Sequence, residues 1–157
     1  IRARTNLDYP LDYVPGLLAK MNLLLVAHPK WKDQLHGSLD EILGQVPVIA
    51  WKGNGEYAYW QLIHKITGQS MQYKTQPKLI VDDMDMMREA ILKGLGIAVI
   101  PEMYVYEDLA LGRLIQLDVE AEPAQSLIHA VHLGQRGMRP AVRHLLDWLK
   151  QATENLR

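Results

Sequence analysis

The chain has 157 residues, a formal net charge of -1, no cysteine and 48% hydrophobic side chains. That length accommodates one domain or two small lobes with an ample apolar core. The charge balance excludes a nucleic-acid surface built on excess Lys and Arg, and the lack of Cys excludes disulfides and thiolate metal sites.

No apolar run approaches membrane-spanning length and no signal peptide is visible. Ile1 is not a natural start, so the expectation is a fragment of a longer protein. Residues 1–18, broken by Pro10, Pro15 and Gly16, read as a strand end and loop. Leu23–Ala27 (LLLVA) has the pattern of a buried strand; His28 follows, then Pro29, which pre-sets a helical turn through Trp31 to Leu35. Ser38, with Glu41 three residues on, forms a capping box that opens a helix stopped by Gly44. Residues 47–51 are a further apolar strand. The turn Gly53-Asn54-Gly55 leads into 57–66, whose aromatic and β-branched content predicts a strand. Residues 71–81 read as extended, with a break or edge at Pro77.

The stretch 82–101, DDMDMMREAILKGLGIAVIP, is the most informative in the chain. Asp83 or Asp82 caps a helix running from Met84 to Lys93, and Asp85 suits its positive end. Met84, Met87 and Ile91, with Met86 and Ala90, form its apolar stripe, while Arg88, Glu89 and Lys93 stay wet. Gly94 takes the left-handed conformation that ends helices. Ile97 to Ile100 is a run typical of a strand covered on both faces, and Pro101 opens a helix over 102–111 that ends at Gly112. This strand, helix, strand, helix order implies a parallel sheet. Beyond it lie a short strand (113–117), an acidic, proline-containing loop (118–125), the strand SLIHAVHL (Ser126–Leu133) and a turn (134–137). A terminal helix then starts at Pro140 with a stripe of Val142, Leu145, Leu146 and Leu149.

Few residues suggest chemistry. Gly53-Asn54-Gly55-Glu56-Tyr57-Ala58 has the G-x-G-x-x-A spacing of a dinucleotide loop, but bulky Tyr57, Tyr59 and Trp60 follow and the acidic pair Asp82-Asp83 comes too late, so it reads as a plain turn. His129 and His132, three apart on a strand, face opposite sides and do not ligate one metal. Ser38 and Ser126 lack a nucleophile-elbow context, and capping accounts for Asp83. No catalytic residue, metal or cofactor is assigned. What remains is geometry: in a parallel sheet, strands ending at Ala27-His28, Ala50-Trp51-Lys52, Val81-Asp82-Asp83 and Ile100-Pro101-Glu102 align their C-terminal ends, where open α/β sheets bind ligands. Helix N-termini at Asp83 and Pro101 favour an anionic or carbonyl-bearing ligand there, with Lys52 and Arg2 as counter-charges, while the aspartates partly oppose this and leave the ligand's charge open.

Taken in order, Ile1-Arg2, LLLVAHPKW (23–31), VDDMDMMREAILKGLGIAVIPE (81–102), EDLALGRLIQL (107–117) and RPAVRHLLDWL (139–149) resemble the effector-binding, or substrate-binding, domain of LysR-type transcriptional regulators. Residues 52–76 match that pattern poorly. The resemblance implies an α/β fold like that of periplasmic binding proteins, with two Rossmann-like lobes joined by two crossover strands. Residues 1–22 and 128–157 would supply part of the first lobe, which is incomplete in this chain, and 23–127 the second, with crossovers near Leu23–Ala27 and Ser126–Leu133. It implies a cytoplasmic sensor without catalysis that binds a small anionic metabolite in the inter-lobe cleft. The signal would pass through a homodimer or homotetramer to a winged helix-turn-helix domain absent here, with DNA contacted only there. By position, effector contacts would come from Arg2, Thr5, His28, Trp51, Lys52, Asp83, Ile100, Pro101 and Glu102. The alternative is a solute-binding protein of a transporter with the same fold, and a Rossmann-type enzyme comes third.

Overall fold

The structure is a computed structural model that describes residues 2–4, 13–52, 57–133 and 139–154. In chain order it contains β1 (Arg2–Arg4), β2 (Tyr13–Met21) and β3 (Leu23–Ala27), then a 3-10 turn (Pro29–Gln34) and α1 (Leu39–Gln45). Next come β4 (Ile49–Trp51), β5 (Ala58–His64), β6 (Ser70–Thr75), β7 (Leu79–Val81), α2 (Met84–Leu92) and β8 (Ile97–Pro101). A second 3-10 turn (Glu102–Tyr104) leads into α3 (Tyr106–Ala110), β9 (Ile115–Gln116), β10 (Ala121–Pro123), β11 (Ser126–Leu133) and α4 (Pro140–Glu154). The chain divides into two compact units, Ile1–Met21 with Gln125–Arg157, and Asn22–Ala124.

In the first unit, β11 runs antiparallel between β1 and β2, with a bulge between Ile128 and His129. The nine-residue β2 replaces the loop expected from Pro15 and Gly16. It borders its sheet, a place where a strand tolerates proline, and its pairing with β11 from Met21 to Tyr13, interrupted only by that bulge, overrides the local turn signal. α4 lies on β2, where the Thr153 hydroxyl is 2.8 Å from the Leu18 carbonyl. The helix stripe is only partly covered: Leu146 and Leu149 are half-buried, while Leu145 and Trp148 are 53% and 58% exposed.

In the second unit, the expectation of a parallel sheet needs correction. β4 pairs with β7 in parallel, and the Val48–Ile97 bridge joins β4 to β8, also in parallel, so β7, α2 and β8 form a crossover unit around β4. β3, however, runs antiparallel to both β8 and β9. Leu23–Ala27, expected as a crossover strand, thus sits inside this sheet, between β8 and β9. A crossover helix constrains the direction of strands it links; β3 enters from the other unit without one. A second, antiparallel sheet of order β10-β5-β6 includes β10, which the loop reading of 118–125 overlooked.

Alternation along the strands explains why their sequences are apolar throughout. Leu25 and Ala27 face a core shared with Leu39 and Ile42 of α1 and with Trp60 and Leu62 of β5; Val26 faces the opposite core with Met87 and Ile91 of α2. Burying side chains of that size contributes roughly 1.5–3 kcal/mol each. α2 starts and stops where its capping residues demand, with Asp83 at its N-terminus and Gly94 at φ 69° after its last turn. Its buried stripe is narrower than expected, because Met86 is 58% exposed and only Met87, Ala90 and Ile91 are fully covered. Ser38 and Glu41 make the reciprocal capping box of α1, and Gly44 lies inside that helix and does not stop it.

Candidate functional site

The C-terminal ends of β4, β7 and β8 share one edge of the second unit's main sheet. Trp51 is paired with Val81, and the backbone N–H of Lys52 continues that ladder by donating to the Val81 carbonyl at 2.6 Å. The Trp51 side chain is 55% exposed, and its indole Nε1 donates to the Asp82 carbonyl at 3.3 Å. At the end of β8, Leu23 of β3 lies opposite Pro101, so the start of β3 joins this edge. Asn22 Nδ2 donates to Glu102 Oε2 at 3.0 Å, and the Glu102 N–H donates to the Asn22 carbonyl at 3.1 Å.

Trp51, Lys52, Asp83, Pro101 and Glu102 are therefore brought together at one sheet end. Ile100 and Pro101 contribute backbone there, since both side chains are buried. His28 is not brought there. Because β3 runs antiparallel, Ala27 pairs with Ile97, and His28 leaves the sheet at the opposite edge, where its Nδ1 accepts from the Lys30 N–H at 3.0 Å and caps the first 3-10 turn. Arg2 lies on β1 of the first unit, opposite His129, and Thr5 falls outside the described residues, as do the turns at Gly53-Asn54-Gly55 and at 134–137. Asn22 was missed because no periodicity marks it; only the antiparallel register of β3 carries it to this edge.

The electrostatics of the edge differ from those of an open helix N-terminus. Asp83 Oδ1 accepts from the backbone N–H groups of Asp85 and Met86 at 2.9 and 3.0 Å, so the first turn of α2 is already occupied by a carboxylate of its own chain. Asp82, Asp83 and Glu102 bring three carboxylate-bearing residues to the same sheet end as Lys52. The opposite, N-terminal ends of β4 and β7 border a depression of about 270 Å³ lined by Leu43, Pro47, Thr75 and Lys78 among others. Among the described residues no group of three or more His, Cys, Asp or Glu is placed to hold a metal. Ala58, the last residue of the G-x-G-x-x-A segment, opens the strand β5, whereas a dinucleotide loop must open a helix.

Behind the edge, an ion cluster joins the elements that start there. Asp108 on α3 is fully buried; its carboxylate accepts from Arg88 Nε at 2.7 Å and Nη2 at 3.0 Å and forms an ion pair with Arg113 Nη2 at 2.8 Å. Arg88, expected on the wet face of α2, is held by this contact, which raises its pKa above the ordinary arginine value chiefly through the hydrogen bond to Asp108.

Comparison with known proteins gives a consistent picture. Residues 10–154 match the model of the LysR substrate binding domain. The chain is 26% identical over 141 residues to uncharacterized HTH-type transcriptional regulators of Mycobacterium bovis and Mycobacterium tuberculosis, covering 87% of this chain and 44% of each relative. It thus spans less than half the length of those relatives. Among solved structures it resembles the full-length virulence activator AphB of Vibrio cholerae (TM-score 0.73, 18% identity, 97% of this chain and 50% of that one). It also resembles the regulatory domain of CrgA from Neisseria meningitidis (TM-score 0.64, 20% identity, 96% and 74%). At such identities these structures speak for the fold, that of periplasmic binding proteins.

Proposed function

The chain belongs to the LysR substrate-binding domain family, and from that premise we propose that it senses a small-molecule effector at the sheet edge formed by Trp51, Lys52, Asp83 and Glu102. The observation that carries this reading is their convergence at the C-terminal ends of β4, β7 and β8, where open α/β sheets hold ligands. An exposed indole provides a flat apolar surface, and the charged groups around it provide orientation.

In the full-length protein, a homodimer or homotetramer acting in the cytoplasm passes the bound state to a winged helix-turn-helix domain, which alone contacts DNA. The effector changes the populations of the sensor's conformations and undergoes no reaction. None of the described helices is long and apolar enough to cross a membrane. The similarity to HTH-type transcriptional regulators favours sensing over solute transport by the same fold.

An anionic effector finds Lys52 at this edge. A second reading, an effector bearing an amine or several hydroxyl groups, is favoured by the three carboxylates of Asp82, Asp83 and Glu102 and by the self-capped N-terminus of α2. The test is a thermal-shift panel of small mono- and dicarboxylates, primary amines and polyols on the full-length protein. Saturation at about a hundred times Kd adds about 2.7 kcal/mol of stability. At least one compound is expected to raise Tm in the wild type and not in Trp51→Ala; a compound that stabilises both equally counts against this edge.

A further inference from the structure

Asp108 draws together three elements: α2 through Arg88, α3 through itself, and the turn before β9 through Arg113, whose backbone N–H, with that of Leu114, also donates to the Asp108 carbonyl. Two of them begin at the candidate effector edge, α2 at Asp83 and the 3-10 turn leading to α3 at Pro101 and Glu102. Behind that edge, Met87 and Ile91 of α2 share an apolar core with Val105. Apolar contact is non-directional, so it resists separation of the two arms but does not define how one is rotated against the other. A bidentate guanidinium does define it, because both N–H vectors and the carboxylate plane must coincide. The desolvation cost of burying Asp108 makes such a cluster a poor source of net stability, which leaves geometry as its contribution.

We propose that Arg88, Asp108 and Arg113 are positioning residues of the effector edge: they lock α2 to the arm running from Glu102 to Asp108 and so fix Asp83 relative to Glu102. The far end of that arm is tied independently, Glu102 to Asn22 through a side-chain and a backbone hydrogen bond. The arm is thus pinned at both ends, and the Asp108 end is the one that carries α2. This inference rests on the effector reading above.

Hydrogen exchange of the ligand-free full-length protein tests it. Arg88→Lys keeps the charge and loses the fork; it is expected to speed amide exchange in peptides covering 83–87 and 101–105 by about tenfold or more while leaving peptides of β3 and β5 at wild-type rates. Arg113→Gln, which removes one contact of a half-exposed side chain, is expected to give a smaller rise, about threefold, in the same peptides and keeps the test open if Arg88→Lys does not fold. Unchanged exchange at both segments, or a uniform rise across all peptides with a lower Tm, would overturn the proposal, since simple destabilisation opens the whole unit together. No ligand enters this experiment, so its failure is separable from a failure to find an effector.

Discussion

Arg88 holds Asp108 with two N–H groups, Nε to Oδ2 at 2.7 Å and Nη2 to Oδ1 at 3.0 Å, across the gap between α2 and α3. Removing the buried carboxylate leaves both guanidinium groups without their shared partner, though each still reaches solvent. Asp108→Ala is therefore expected to cost about 1–3 kcal/mol in urea unfolding. A loss below about 1 kcal/mol would reduce this grip to an ordinary surface ion pair.

The start of α1 gives a pH-dependent prediction. Ser38 N–H donates to Glu41 Oε2 at 2.8 Å, and the Ser38 hydroxyl lies 3.1 Å from the same oxygen; these bonds, the backbone one foremost, hold the Glu41 pKa below its ordinary 4.5. A depressed carboxyl pKa contributes stability that is present above the ordinary value and disappears as pH falls through the lowered one. The Tm difference between wild type and Glu41→Gln should accordingly shrink as pH drops below 4.5. A difference independent of pH would contradict this. Ser38→Ala should cost about 1 kcal/mol at neutral pH.

Two glycines should respond in opposite directions. A methyl group on Gly96 would overlap the backbone carbonyl of Pro47, whose oxygen accepts from the Ile97 N–H at 2.8 Å, so Gly96→Ala should destabilise by about 1–3 kcal/mol. Gly44 lies within α1 and a methyl there meets nothing within 4 Å, so Gly44→Ala should stabilise by about 0.5–1 kcal/mol. Denaturant midpoints of the two variants check both signs.

The outer face of α4 leaves Leu145 and Trp148 53% and 58% exposed, with Val142 beside them at 41%. Apolar side chains at this spacing form a continuous stripe. The 157-residue chain by itself should bind a hydrophobic dye, and Leu145→Glu with Trp148→Glu should lower the signal. A dye response unaffected by these substitutions would place the apolar surface elsewhere.

Much of the second unit was legible locally because caps and stops adjoin the elements they define: Asp83 and Gly94 bracket α2, and Ser38 with Glu41 opens α1. Direction was not legible. LLLVA reads alike whichever way the strand runs, and an antiparallel β3 moves His28 to the far edge while bringing in Asn22. Pro15-Gly16 masked β2, and the acids and proline of 118–125 masked β10, because partner strands supply what local propensity withholds. Arg88 was assigned to solvent because helical periodicity carries no information about a carboxylate twenty residues away.

Where an effector binds is measured most directly by the hydrogen-exchange footprint, on the full-length protein, of whichever compound raises Tm in the panel. Binding at the proposed edge predicts slower exchange in peptides covering 50–52, 82–87 and 101–105, around Trp51, Asp83 and Glu102. Slower exchange confined to segments around His28 or around Pro47 and Lys78, at the opposite end of the sheet, would contradict it.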